Sequence, residues 1–141
     1  MMTHVQVKIK KLKKAGVIPS YAKSGDAGLD LTATDVKSCE GYVEYGTGLA
    51  VEIPEGFAGF LLPRSSLSNY DLVLSNHVGL IDSGYRGEIK ARFKRFGSRI
   101  YMPGDRIVQL VVLPYPKVEF EEVNELSETE RGAGGYGSSG K

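Results

Sequence analysis

Gly104-Asp-Arg-Ile-Val-Gln-Leu-Val-Val-Leu-Pro114 is the stretch on which the fold class turns. Ile107 to Leu113 is apolar on both faces except for Gln109, the pattern of a central strand covered on both sides. Gln109 must therefore find a polar partner, because a buried amide without one is destabilising. Upstream, Pro103-Gly-Asp105 is a turn, and Pro114 and Pro116 stop the strand downstream. Working outward, the period of a strand with one wet face recurs. It is seen in Ile89, Ala91 and Phe93 against Lys90, Arg92 and Lys94, in Leu49, Val51 and Ile53, in Leu29, Leu31 and Ala33, and in Val5, Val7 and Ile9. Pro54-Glu-Gly56 and Asp82-Ser-Gly84 supply further turns, and the only helical expectation is a short turn from Ser65 through Leu67. Many short strands between glycine and proline turns predict an all-β protein, a sandwich, barrel or jelly roll. Lys117 to Val123 is expected as one more strand, at an edge.

The 141 residues suit one domain, with 41% hydrophobic and 25% charged residues. We expect a β domain over residues 1–123, then an acidic linker and a glycine-rich arm over 124–141. With 18 basic against 17 acidic side chains the net charge is +1, which gives no field for wrapping a nucleic acid. The lone Cys39 forms no internal disulfide and has no metal-ligand spacing. The N-terminal residues lack an apolar leader, and no run is long enough to span a membrane, so a soluble protein of a reducing intracellular compartment is expected.

The arm, Arg131-Gly-Ala-Gly-Gly-Tyr-Gly-Ser-Ser-Gly-Lys141, has nothing to bury, yet it carries a guanidinium, an aromatic ring and two hydroxyls among its glycines. Such a segment suits an anion, since glycine lets backbone N–H groups approach phosphate and arginine offers a planar fork of donors. Its matches to G-x-G-x-x-G and to most of G-x-x-x-x-G-K are rejected, because both patterns need a following helix. A plain flexible linker has the same composition.

Other segments hold candidate chemistry beside plainer readings. Pro63-Arg-Ser-Ser-Leu67 breaks after the apolar run Phe57 to Leu62, where successive N–H groups, two hydroxyls and Arg64 would form an anion nest; a serine-rich turn reads the same way. In Gly79-Leu-Ile-Asp-Ser-Gly-Tyr-Arg-Gly87, Asp82 stands at a strand end, where a carboxylate can be tuned into a general base, and Tyr85 offers a flat face for a sugar or base. The plainer account is a hairpin turn capped by its own aspartate. Asp30, in Ala-Gly-Leu-Asp-Leu31, is either strand polarity or a carboxylate that orients water on magnesium. Asp105 and Arg106 suit simple closure of the turn.

Taken in order, Asp30 in its strand, Arg64 in Pro-Arg-Ser-Ser-Leu, Asp82 and Tyr85 in the hairpin, Gln109 in Gly-Asp-Arg-Ile-Val-Gln-Leu and the glycine arm resemble the five ordered motifs of the trimeric dUTP diphosphatases, the dUTPases. The resemblance spans residues 27 to 140. It implies a jelly-roll-like homotrimer with three sites at subunit junctions. One subunit would give Asp30, Arg64, Ser65, Ser66 and Gln109, a second the hairpin from Asn76 to Tyr85, and a third its arm. The implied reaction converts dUTP and water to dUMP and pyrophosphate, limiting uracil in DNA and supplying dUMP for dTMP synthesis. Asp82 would deprotonate water for attack at the α-phosphorus. Magnesium would bridge the phosphates, with Asp30 reaching it through water. Arg64, Ser65, Ser66 and Gln109 would hold the α and β groups. Arg131, with Ser138 and Ser139, would clamp the γ-phosphate, and Gly137 would be among the substrate-binding residues of the arm. Backbone groups of Asn76, Gly79, Leu80 and Ile81 would read uracil, Tyr85 would exclude a 2′-hydroxyl, and Tyr136 would cover the base.

Three positions depart from the family: Gly84 replaces a usual second acid, Ser66 a glycine and Tyr136 a phenylalanine. Gly84 and Arg-Ser-Ser are shared with the dCTP deaminases, built on the same fold. That chemistry needs a glutamate ten residues beyond Asp82, where this chain has Arg92, which is no base at neutral pH. A non-catalytic nucleotide sensor is the other alternative, and the intact Asp82 opposes it.

Overall fold

The protein is described from a computed structural model, covering residues 4–138 and 140. Its strands are β1 Lys8–Lys11, β2 Leu29–Thr32, β3 Asp35–Cys39, β4 Tyr42–Gly46, β5 Leu49–Glu52, β6 Phe57–Pro63, β7 Leu72–Leu74, β8 Gly79–Ile81, β9 Lys90–Arg95 and β10 Arg106–Pro114. Among the described residues one 3-10 turn, Ser65–Asn69, interrupts them. All pairings are antiparallel: β2-β10-β6-β8 form one sheet, β3-β4-β9-β7 a second, and β1-β5 a small third. The all-β, jelly-roll-like expectation is met.

The core lies between the two large sheets. Leu31, Leu61, Ile81, Val108 and Leu110 enter from the first, and Val43, Tyr45, Leu72, Leu74, Ala91 and Phe93 from the second. This is the alternation of the sequence turned into geometry, since every second side chain of a pleated strand points inward. Tyr45, Phe93 and Tyr101 meet edge to face at 5.6 to 6.0 Å, a geometry that adds to their burial. The Tyr45 hydroxyl donates to the Tyr101 carbonyl at 2.8 Å. Burial pushes that phenol up to about 12, so it remains a neutral donor over the whole working range. Thr47, fully buried, donates its hydroxyl to Ile89 O at 2.7 Å.

Three expectations need correction. The first strand is Lys8–Lys11, set by pairing with β5, and Val5 and Val7 precede it. Burial on both faces of β10 holds for Ile107 and Val108, but Val111 and Val112 are half-buried and Leu113 is 47% exposed. Lys117 to Val123 forms no strand, because no described segment pairs with it; Val118 and Phe120 stand 68% and 96% exposed. No helix among the described residues is long and apolar enough to cross a membrane.

Candidate active site

One cluster of predicted residues forms where β2, β10 and β6 lie side by side. Asp30 of β2 is the register partner of Gln109 of β10, and Gln109 donates from Nε2 to the carbonyl of Pro63 at 3.1 Å. This is the polar partner that the amide required, and it fixes the residue preceding Arg64. Gly28 makes the arrangement possible, since a Cβ there would run into the Gln109 side-chain oxygen. Arg64 then leaves the strand in extended conformation, with φ −80° and ψ 151°, and begins the 3-10 turn. Its Nε donates to Asp30 Oδ1 at 3.1 Å, and its Nη1 to Ser66 Oγ at 3.1 Å and Arg106 O at 3.3 Å. Among the described residues Nη2 makes no hydrogen bond, leaving one edge of the fork for an anion. Arg106 also faces Asp30, at 3.5 Å, so two guanidinium groups surround one carboxylate. The cluster therefore keeps a surplus positive charge and two hydroxyls, an arrangement suited to polyphosphate.

Asp30 is the sole predicted metal-facing carboxylate, and no group of three His, Cys, Asp or Glu gathers among the described residues. A lone, partly exposed carboxylate fits a magnesium ion that arrives with a triphosphate and retains its waters, rather than a cage made wholly of protein.

A second cluster surrounds a cavity of about 520 Å³ between β8 and β9. Ser75, Asn76, Gly79, Leu80, Ile81 and Tyr85 line it, as do Glu44 and Arg92. The loop before β8 passes through His77 at φ +60°. Asp82 follows β8 directly, is exposed, and its carbonyl accepts from Tyr85 N at 3.1 Å, closing the turn. The Tyr85 hydroxyl donates to Glu88 O at 2.8 Å, which fixes the ring across Gly87; a Cβ at Gly87 would approach that hydroxyl to 2.5 Å. A Cβ at Gly84 would meet nothing within 4 Å, so space does not explain the missing second acid.

The two clusters do not meet within one chain. β8 pairs antiparallel to β6 with Gly79 opposite Leu61 and Ile81 opposite Gly59, so Asp82 emerges beside Ala58 while Arg64 leaves the other end. Positions 58 to 64 along an extended strand span about 20 Å at roughly 3.3 Å per residue. Among the described residues of the arm, no hydrogen bond reaches either cluster. Arg131 donates from Nε to Gly134 O at 2.8 Å, Tyr136 is fully exposed at φ +54°, and Gly137 at φ +82° leads to an exposed Ser138. Ser139 lies outside the described residues.

Sequence reading missed Arg106 as a partner of Asp30, and it missed Glu44 and Arg92 as cavity walls. Glu44 accepts from Arg92 Nε at 2.8 Å and Lys90 Nζ at 3.4 Å, and these bonds, Arg92 first, hold its carboxyl below the ordinary range. The alternation of β9 marked Arg92 as outward-facing, but Glu44 is far away in sequence and only strand pairing, which sets Glu44 opposite Arg92, brings it near.

The dUTPase family model matches residues 14–140. A deoxyuridine 5'-triphosphate nucleotidohydrolase of Acinetobacter baumannii is 44% identical over 149 aligned positions, covering 97% of this chain and 98% of the relative. Among solved structures, a mutant dUTPase of Staphylococcus bacteriophage 80alpha with dUpNHpp superposes with a TM-score of 0.82 at 29% identity, covering 96% of this chain and 99% of the other. A mutant dUTPase from phage phi11 of S. aureus, described with a coordinated structural Mg(II) ion, gives 0.72 at 25% identity over 86% of this chain and 98% of that one. With nearly the whole chain matched and every described motif placed, this protein belongs to the dUTPase family.

Proposed function

We propose that three copies of this chain assemble and hydrolyse dUTP to dUMP and pyrophosphate, so limiting uracil in DNA and supplying dUMP for dTMP synthesis. The observation that carries this reading is the separation of the two clusters along β6: a phosphate-binding half and a nucleoside-binding half, each well formed, that no single copy can unite. Assembly is further supported by the outer face of the first sheet. Val111 and Phe60 are register partners there, Leu80 pairs with Phe60, and Leu113 lies two residues along the same face. Leu80 is 61% exposed, an apolar surface suited to a second copy.

In the assembled site, Asp82 of one subunit holds the attacking water and accepts its proton, its carboxylate being exposed at the turn. Arg64 and the Ser65–Ser66 turn of another subunit, with Gln109, bind the α- and β-phosphates and take up charge as the bond to the leaving pyrophosphate breaks. Asp30 lies where it would orient the waters of a phosphate-bound magnesium, which neutralises the phosphates when present. Backbone groups at Asn76 and Gly79 to Ile81 pair with uracil, and the Tyr85 ring, fixed by Glu88, closes the space below the sugar. Arg131, Gly137, Ser138 and Ser139 grip the γ end, Tyr136 covers the base, and closure of the arm excludes water. A deaminase is disfavoured at the cavity wall itself, where Arg92 is held by Glu44 and stacks at 4.7 Å on Tyr42.

Pyrophosphate release compared across dUTP, dTTP, dCTP and UTP, with ammonia release from dCTP, tests the assignment. Only dUTP is expected to turn over, and Asp82→Asn should lower kcat by about 10²–10⁴-fold, the usual contribution of a positioned base. Substrate binding without product in the unmodified chain would instead favour the sensor.

A further inference from the structure

Residues 82–87 lead from β8 toward β9 as an irregular, largely exposed segment, with Asp82 at its start. Among the described residues the Asp82 carboxylate makes no hydrogen bond or ion pair, so its position is set by the backbone beneath it. That backbone turns on Ser83 and Gly84, closed by the bond from Tyr85 N to Asp82 O at 3.1 Å. A Cβ at Gly84 would meet nothing within 4 Å, and glycine has more backbone freedom than any other residue. One hydrogen bond on an exposed turn is a weak restraint, since water competes for both of its ends.

Arg86 supplies a second restraint. Its Nη1 donates to Ser83 O at 2.6 Å and to Tyr85 O at 3.3 Å, so one nitrogen brackets the turn. Its Nε faces Glu52 Oε1 of β5 at 3.6 Å. Glu52 is also held by Lys8 Nζ at 3.5 Å, its register partner on β1. Among the described residues, Arg86 to Glu52 is the one polar tie from residues 82–87 to a strand outside the segment. An exposed ion pair contributes little stability by itself. Its consequence here is geometric, because it orients a planar group whose other nitrogen fixes the Ser83 carbonyl, one residue beyond Asp82.

We propose that Arg86 is a positioning residue for Asp82: it locks the turn against β5 and so holds the carboxylate in place for the attacking water, without touching substrate. The inference rests on the assignment of Asp82 as the base. It predicts loss of rate at unchanged affinity, because a small misplacement of a reacting group is costly while the binding groups stay where they are.

The test uses the full chain, Arg86→Met, Asp82→Asn and the double variant. Methionine keeps much of the side-chain stem and removes its donors. The Arg86 side chain is 54% exposed, so the variant should fold and assemble as the parent does. Arg86→Met should lower kcat for dUTP about ten- to a hundredfold, with KM and the calorimetric affinity for the imido analogue dUpNHpp unchanged. In the Asp82→Asn background the same substitution should cost nothing further, as expected of a residue that acts through Asp82. If Arg86→Met fails to fold, Arg86→Gln carries the same comparison. A kcat within about twofold of the parent, equal losses of rate and analogue affinity, or the full loss repeated on Asp82→Asn would overturn the proposal. A parent that fails to hydrolyse dUTP, or an Asp82→Asn variant as active as the parent, would overturn the catalytic assignment together with it. An inactive Asp82→Asn beside a fully active Arg86→Met would count against the positioning role alone.

Discussion

Arg64 joins three strands at one guanidinium: Asp30 of β2 and the Arg106 carbonyl of β10 hold it, while Ser66 ties it to its own turn. A lysine could not make these bonds from a single planar fork, so the residue type is fixed by geometry as much as by charge. At His77 the reverse holds, for here the chain carries a residue poorly suited to its backbone. Its φ of +60° is the left-handed region, which burdens a residue with a Cβ by about 1–2 kcal/mol. Glycine would relieve this but lose about 0.5–1 kcal/mol of backbone entropy on folding. His77→Gly is therefore expected to stabilise the protein slightly, raising the melting temperature by roughly 2 °C in a thermal scan. A lower melting temperature would show that the imidazole makes a compensating contribution.

At the scale of elements, β9 couples the second sheet to the cavity beside β8 through its outward-facing cations. Lys90 and Arg92 both reach Glu44 of β4, whose side chain is 13% exposed. The carboxyl is held below its ordinary 4.5, so the fold favours the ionised form. The sign follows by linkage: the contribution is complete above the unfolded value of 4.5 and is lost as pH falls from there through the lower folded value. Glu44→Gln should thus be less stable than the parent at neutral pH, with the difference shrinking below pH 4.5 in urea titrations at stepped pH. A difference that stays constant down the acid limb would assign the effect to packing. The loop after β10 is governed by the opposite circumstance. Lys117 to Val123 has strand-like composition but no pairing partner among the described residues, and composition cannot provide the hydrogen bonds of a ladder.

At the scale of the whole molecule, the proposed trimer has each half of the site completed by a neighbour. Val111→Glu places a charge on the outer face of β10 without entering the core, so the chain should keep its β circular-dichroism spectrum. It should sediment as a single copy, and hydrolysis should be lost because Asp82 and Arg64 of one chain stay about 20 Å apart. A fully active single copy would refute the composite site. Removal of residues 131–141 probes the arm independently: a folded trimer with severely impaired hydrolysis is expected by sedimentation and pyrophosphate release, as for loss of a closing lid. The sequence by itself determined the fold class, because the period of two and the glycine and proline turns are written into neighbouring residues. It also determined the identity and order of the motifs, including the need of Gln109 for a partner. Only the tertiary structure decided what those residues meet. Arg106 and Glu44 find their partners through strand register, and antiparallel pairing of β8 on β6 carries Asp82 away from Arg64. Contacts between distant segments follow from which strands pair and in which direction, and that is a property of the packed sheets rather than of any stretch of chain.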